Sequence, residues 1–259
     1  MKTLKLSIAF LFVPFFWSCS DSESEINTEI EELPKSAQQV YDQLMDAYNN
    51  SCSDCLENVL QEWEKEYTAD ENIPDSLKAI YEVYKAFYSP WDLGRISESE
   101  FGDGIYNGIF YYIIQGSISY RNQSMNNDDY FTITPFRPTV QNDTIHLLYY
   151  DEDYLAAMNA FLGSESIPFG EGNIMSPAMS TGETELRYRF LNNYLFFFHG
   201  HWGNYWHMET QPAVSMITFN AAGDTAKVDF RLGYQGGEAT LANSTTGWQV
   251  VEHQMTWIE

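Results

Sequence analysis

The chain has 259 residues, of which 37 are acidic and 13 are basic, so its formal charge is −24 at pH 7. A charge of that sign and size repels phosphate backbones, and no stretch of the sequence forms a basic stripe that would reverse it locally. Nucleic acid is therefore excluded as a partner. Hydrophobic residues make up 44% of the chain, which together with its length excludes disorder for most of it and allows a sizeable core.

The first 18 residues have the pattern of an export signal. Lys2 and Lys5 form a short positive region, and the run that follows, as far as Trp17, is almost wholly apolar but too short to span a bilayer. It ends at Phe16-Trp17-Ser18-Cys19, where a small residue precedes a cysteine. Here the chain resembles the lipobox of bacterial lipoproteins. The resemblance implies that residues 1–18 are cut off and that the sulfur of Cys19 is lipidated.

An acidic, serine-rich segment follows the lipobox. Residues 19–35 cannot bury a core, so they are expected to form a flexible tether. An acidic run directly after the cysteine resembles the surface-export signal of Bacteroidetes-type lipoproteins. That resemblance implies a protein held in the outer membrane by its N-terminal lipid, with the domain facing outward from the cell.

Three amphipathic helices are predicted within residues 36–90. Ser36 and Gln39 form a capping-box pattern for the first, Asp54 is the expected N-cap of the second, and Pro74-Asp75 precedes the third. The apolar residues recur at a spacing of 3.6, which is typical of a helix that buries one face. The three stripes are Ala37, Val40, Tyr41, Leu44, Met45 and Tyr48; Leu56, Val59, Leu60, Trp63 and Tyr67; and Leu77, Ile80, Tyr81, Tyr84, Phe87 and Tyr88.

The rest of the chain predicts strands after a mixed middle. Residues 91–193 indicate short strands over 110–114 and 144–150, a helix over 151–162 and a long loop over 164–182. Residues 194–259 indicate an antiparallel meander, with a half-buried strand over 226–234 and turn signals at 220–224, 236–237 and 244–247. Helices first and a meander last predict a single α+β domain over 36–259.

The end of the meander carries a second resemblance. A strand, a glycine turn and a last strand that opens with Gly247-Trp248-Gln249-Val250 are similar to the ends of cystatin-like and nuclear-transport-factor-like folds. In those folds helices close over a curved sheet. The resemblance implies a cone with a pocket and implies no particular activity.

Three histidines within residues 199–207 are candidate metal ligands, because imidazole binds transition metals readily. In one straight strand His201 and His207 would lie about 20 Å apart. If Gly203-Asn204 is a two-residue hairpin turn, Gly200 lies opposite His207, which then faces away from His199 and His201. Two interpretations stay open. The first, which we favour, is an aromatic-rich structural hairpin; the second is a metal site of His199, His201 and Glu209, the last brought round by a bulge.

Cys52 and Cys55 form a C-x-x-C pattern where the second helix should begin. Such a pair at a helix N-terminus can exchange disulfides, but the βαβ context of redox proteins is missing. A structural disulfide that staples two helices is the favoured interpretation in an exported protein, and unpaired thiols are the third.

Aromatic residues make up 16% of the chain, and tyrosine is the most frequent of them. Trp202, Tyr205 and Trp206 flank the expected turn. They either pack in the core or lie exposed, where flat rings could stack on a sugar or a peptide.

The sequence carries no hydrolase elbow, S-x-x-K, H-E-x-x-H or Walker motif, and acidic pairs such as Glu183 and Glu185 arise by chance among so many carboxylates. The favoured hypothesis is a non-enzymatic surface lipoprotein without a cofactor, which binds a glycan or peptide through an aromatic-lined concave sheet. The alternatives are a hydrolase that uses acidic residues or a metal at His199 and His201, and a purely structural envelope protein.

Overall fold

The fold is taken from a computed structural model of the chain. It describes residues 35–87, 111–126, 129–140, 145–163, 178–179, 182–195, 198–199, 205–207, 210, 212–232 and 235–258. Residues Leu33–Glu259 form one compact unit. The predicted signal peptide and nearly all of the predicted tether lie outside the described residues.

The helices in the described part of the chain are α1 (Lys35–Asn49), α2 (Ser53–Glu66), α3 (Asp75–Phe87), α4 (Glu152–Phe161) and α5 (Gly182–Leu191). None of these described helices is both long enough and apolar enough to cross a membrane. The strands are β1 (Tyr111–Ile114), β2 (Ile118–Asn122), β3 (Phe131–Ile133), β4 (His146–Tyr149), β5 (Ala178–Met179), β6 (Phe198–His199), β7 (Tyr205–His207), β8 (Ala213–Phe219), β9 (Thr225–Leu232), β10 (Gln235–Ser244) and β11 (Gly247–Ile258). Leading helices and a closing meander confirm the α+β class.

The described residues of the three predicted stripes are buried or half-buried, and Tyr88 lies outside the described residues. In α2 the side chains of Leu56, Val59, Leu60 and Trp63 are all buried. The predicted N-cap of this helix is wrong, however, because Asp54 lies in the first turn. The N-cap is Cys52, whose extended backbone suits that position and whose Sγ accepts a hydrogen bond from the backbone N–H of Cys55 at 3.2 Å.

The sequence predicts the helix α4 but not α5. Asp151 caps α4 by accepting a hydrogen bond from the Tyr154 backbone N–H at 3.0 Å. The helix α5 begins at Gly182, where the sequence indicates the end of a loop. Its buried residues Thr184, Tyr188 and Leu191 are mixed in polarity, so they form no apolar stripe that periodicity could detect.

The largest sheet has six strands in the order β11-β10-β9-β8-β2-β3. The strands β8 to β11 form the predicted antiparallel meander, and β10 turns into β11 through a hairpin in which Gly247 has a φ of +99°. The strand β2 from the middle of the chain lies beside β8, with Tyr120 opposite Ile217, and this pairing is parallel. The strands of the predicted meander are antiparallel to one another, and the parallel pairing comes from β2, which lies in the mixed middle of the chain.

One predicted turn is wrong. Gly236 and Gly237 lie within β10, and the pairing of Leu232 with Gln235 puts the connection from β9 to β10 earlier in the chain. Trp257 pairs with Gly236 and is the reason that position 236 is a glycine, because a Cβ atom there would collide with the indole ring. The glycines allow a close approach of a side chain to the strand and do not form a turn.

The buried residues form two clusters. We call the first the sheet core: it joins α3 to one face of the six-stranded sheet, with Phe87, Val228 and Leu241 among its members. The second, the helix core, lies among α1, α2, α4 and α5 and includes Leu44, Trp63 and Phe161. The six side chains named here, three in each core, are fully or almost fully buried.

The strand β1 belongs to both cores. It pairs in parallel with β4, and all four of its residues are buried. Because side chains alternate along a strand, Tyr112 and Ile114 enter the sheet core, whereas Tyr111 and Ile113 enter the helix core. A parallel pair covered on both faces is the arrangement in which such strands are usually found.

Gln115 connects β1 to the large sheet. Its amide is buried, donates to the backbone carbonyl of Val214 at 2.9 Å and accepts from the Val214 backbone N–H at 2.8 Å. It also donates to the carbonyl of Ser117 at 2.6 Å. The side chain therefore takes the place of a strand partner for Val214, because buried backbone groups must be paired.

Candidate functional site

The candidate ligands and aromatics of residues 199–209 are only partly described. Cys19, His201, Trp202 and Glu209 lie outside the described residues, and His199 belongs to β6. Tyr205, Trp206 and His207 form β7.

The predicted pairing of this hairpin is wrong by two residues. His207 lies opposite Phe198, not opposite Gly200, and His199 lies opposite Trp206. Phe198 and His199 therefore take the places that the prediction gave to Gly200 and His201, and the predicted turn at 203–204 lies outside the described residues. The other edge of β7 pairs with β5, and such a distant partner leaves no trace in local spacing.

Among the residues that the structure describes, no three His, Cys, Asp or Glu side chains are grouped so that they could hold a metal ion. The histidine site remains an expectation from the sequence, since two of its three ligands lie outside those ranges.

Cys52 and Cys55 are joined by a disulfide, with their Cα atoms 5.2 Å apart. The predicted disulfide is present, but the prediction that it staples two helices together is wrong. The bridge connects the N-cap residue to the first turn of α2, so it closes the start of one helix.

The face of the six-stranded sheet that points away from the sheet core is polar, and we call it the outer face. Along β9, Lys227, Asp229 and Arg231 alternate with core residues and are half-buried. Arg121 of β2 belongs to the same face, where its Nε donates to the Thr218 hydroxyl at 3.2 Å. Three cations thus lie on one surface of a strongly acidic chain.

Lys227 is the centre of an ion-pair cluster on the outer face. Its Nζ lies 2.6 Å from Oε1 of Glu238 and 3.2 Å from Oδ1 of Asp229. The hydrogen bond from Lys227 lowers the pKa of Glu238, and the same bond raises the pKa of Lys227. Both groups are therefore ionised at neutral pH.

An open depression of about 280 Å³ lies beside this cluster. We call it the Trp257 pocket, and it is lined by Ala213, Ser215, Asp229, Phe230, Arg231, Gly237, Glu238, Thr256 and Trp257. Trp257 is 43% exposed although it is a large aromatic residue. Its ring packs against Gly236, so the strand supports an indole that is still partly exposed to solvent.

A second depression, of about 470 Å³, lies beside α3 and has a different character. Tyr81 is the aromatic residue in its lining, but it is 8% exposed, and its hydroxyl donates to Asp70 at 2.6 Å. Lys78 is paired with Asp75 at 2.5 Å. This depression offers a ligand charged side chains but no accessible ring, so the Trp257 pocket is the stronger candidate.

The sequence reasoning missed this pocket because it assigned Gly236 and Gly237 to a turn. One signal in the sequence could have revealed it. Two adjacent glycines precede a run in which apolar and polar residues alternate, and a tryptophan lies near the end of the next strand. Comparison of the chain with models of protein families, with curated proteins and with solved structures gives no match.

Proposed function

We propose that this chain is a lipid-anchored protein of the outer membrane, exposed at the cell surface, whose domain binds a ligand at the Trp257 pocket without catalysing a reaction. The observation that carries the binding proposal is the exposed indole of Trp257 beside a polar, ion-paired surface. The lipobox pattern that ends at Cys19 supports the anchor.

The charge state of Glu238 favours binding over hydrolysis that uses this residue as the acid. Hydrolysis of a glycosidic bond needs one carboxyl group with a raised pKa as general acid. Glu238 has the opposite property, because the hydrogen bond from Lys227 lowers its pKa. A carboxylate that stays ionised accepts hydrogen bonds from a ligand but does not donate a proton to a leaving group.

The anchor is tested by metabolic labelling with an alkyne fatty acid. We expect the full chain expressed in a Gram-negative bacterium to take up the label, and we expect Cys19→Ala to lose it. The matched control is the double variant Cys52→Ser, Cys55→Ser, which removes the other two cysteines and should keep the label. Label retained on Cys19→Ala would contradict the anchor, and resistance of the wild type to protease on intact cells would contradict surface exposure.

The binding site is tested with arrays of glycans and peptides. The full chain is purified in a detergent without a sugar headgroup, and bound ligands are titrated by calorimetry. We expect Trp257→Ala to weaken binding at least tenfold, about 1.4 kcal/mol, since the ring provides the largest contact area. Tyr130→Ala is the matched control, because Tyr130 is 57% exposed and lies beside β3 at the other edge of the sheet. Equal binding by both variants would refute the site.

A further inference from the structure

The chemistry of the Trp257 pocket identifies a class of ligand, and this inference rests on the proposed function. We infer that the pocket takes one neutral pyranose ring of a glycan, stacked on the indole of Trp257, with its hydroxyl groups bonded to Asp229, Glu238 and Arg231.

The volume limits the ligand to about one ring. Pockets for drug-sized molecules occupy roughly 300–1,000 Å³, and this depression of about 280 Å³ lies just below that range. It suits one unit of a chain that continues into solvent, because Trp257 lines the depression and is 43% exposed.

The charges favour a neutral ligand. Asp229, Glu238 and Arg231 are the charged residues of the lining, and Lys227, which lies outside the lining, bridges the two carboxylates. A ligand with a carboxylate or phosphate would meet two anions, and a cationic ligand would meet Arg231 and two carboxylates whose charge Lys227 already offsets, so neither class gains a strong Coulomb attraction.

Sugar hydroxyl groups match this mixture of partners. A hydroxyl both donates and accepts, so adjacent hydroxyls can donate to a carboxylate and accept from a guanidinium. A carboxylate has about four acceptor positions, so the bond from Lys227 leaves capacity on Glu238 for a ligand. Hydrogen bonds to ionised groups are roughly twice as strong as those between neutral groups.

The indole supplies the apolar contact that a sugar also needs. The C–H groups of a pyranose form a flat apolar face, which can stack on the exposed part of a ring held against Gly236. An extended peptide would bind differently, because strand addition uses the backbone edge of a sheet, whereas the polar groups offered by this pocket include the side chains of Asp229, Arg231 and Glu238 on the outer face.

The test compares three sets of oligosaccharides on the purified full chain: neutral pyranosides of varied stereochemistry, uronic acid oligomers and glucosamine oligomers. We expect a neutral oligosaccharide to bind, with an affinity that changes less than twofold between low and high salt. We expect Glu238→Gln to weaken binding at least fivefold. Glu252→Gln is its matched control, a carboxylate of β11 on the same face and outside the pocket lining, and should bind as the wild type does.

A second variant tests the platform without removing the ring. Gly236→Ala adds a methyl group where the indole lies, so the exposed ring must move while the rest of the sheet is unchanged. We expect a loss of sugar affinity of at least fivefold with an unchanged circular dichroism spectrum.

Each contrary result separates the two proposals. Binding of uronic acid, glucosamine or peptide ligands alone, if abolished by Trp257→Ala, would overturn the neutral sugar and leave the binding function in place. Binding of neutral sugar that survives Trp257→Ala would overturn the site. No binding of any neutral member would overturn the inference.

Discussion

The helix core and the sheet core bury their residues in different ways. Helices surround the first, so the apolar stripes of α1, α2 and α4 meet each other and β1. In the second, α3 packs against β10 and β11 on one face of the six-stranded sheet, while the outer face carries charged and polar side chains. A surrounded core uses its side chains for stability, whereas a sheet covered on one face keeps the other for recognition.

The largest expected effect is a loss of stability at alkaline pH, which involves both cores. Burial raises the pKa of Tyr111 and Tyr188 in the helix core and of Tyr149 in the sheet core to about 12, above the ordinary value of about 10. The stability that depends on these neutral hydroxyls is therefore complete below about pH 10 and is lost as the pH rises through about 12.

We expect tyrosinate absorbance at alkaline pH to rise in two stages, with the second stage accompanied by loss of the circular dichroism signal. Both signals are measured on the same sample at stepped pH. If the absorbance change of all 18 tyrosines were complete while the circular dichroism signal was still intact, burial would not govern these groups.

The second effect concerns the helix core, to which Trp63 belongs. Trp63 is fully buried, its indole N–H donates to the Tyr149 carbonyl at 2.7 Å, and its ring stacks on Tyr154. We expect Trp63→Ala to lower the free energy of unfolding by about 3–5 kcal/mol in urea titrations. The comparison is Trp257→Ala on the outer face, which should change it by less than about 1 kcal/mol. Similar losses for both tryptophans would erase the distinction between the two regions.

The third effect is smaller and lies at the junction between β1 and β8. We expect Gln115→Leu to lower the free energy of unfolding by about 3 kcal/mol, because the Val214 backbone N–H and carbonyl lose their partners in a buried place. Gln38→Leu, on the exposed face of α1, is the control and should be nearly neutral. Urea unfolding measures both. A neutral Gln115→Leu would mean that the junction rearranges and pairs these groups elsewhere.

The parts of the fold that could be predicted depend on local periodicity. The stripe from Leu56 to Trp63 and the alternation along β9 each reflect contacts of one element with one apolar surface. The insertion of β2 beside β8 and the pairing of Gln115 with Val214 join residues far apart in the chain. No local spacing of apolar residues predicts such contacts. The candidate site could not be predicted for the same reason. A glycine is needed at position 236 because Trp257 of the next strand packs against it, and not because of the residues beside it in the chain.

The position of β2 determines when the sheet can form. It lies between β3, its near neighbour in the chain, and β8, whose residues are about a hundred positions later. Contacts of such long range slow folding, since the intervening chain must first be brought together. An N-terminal fragment that ends before β8 would leave one edge of β2 unpaired. Folding of the large sheet is therefore completed only once the C-terminal meander is available.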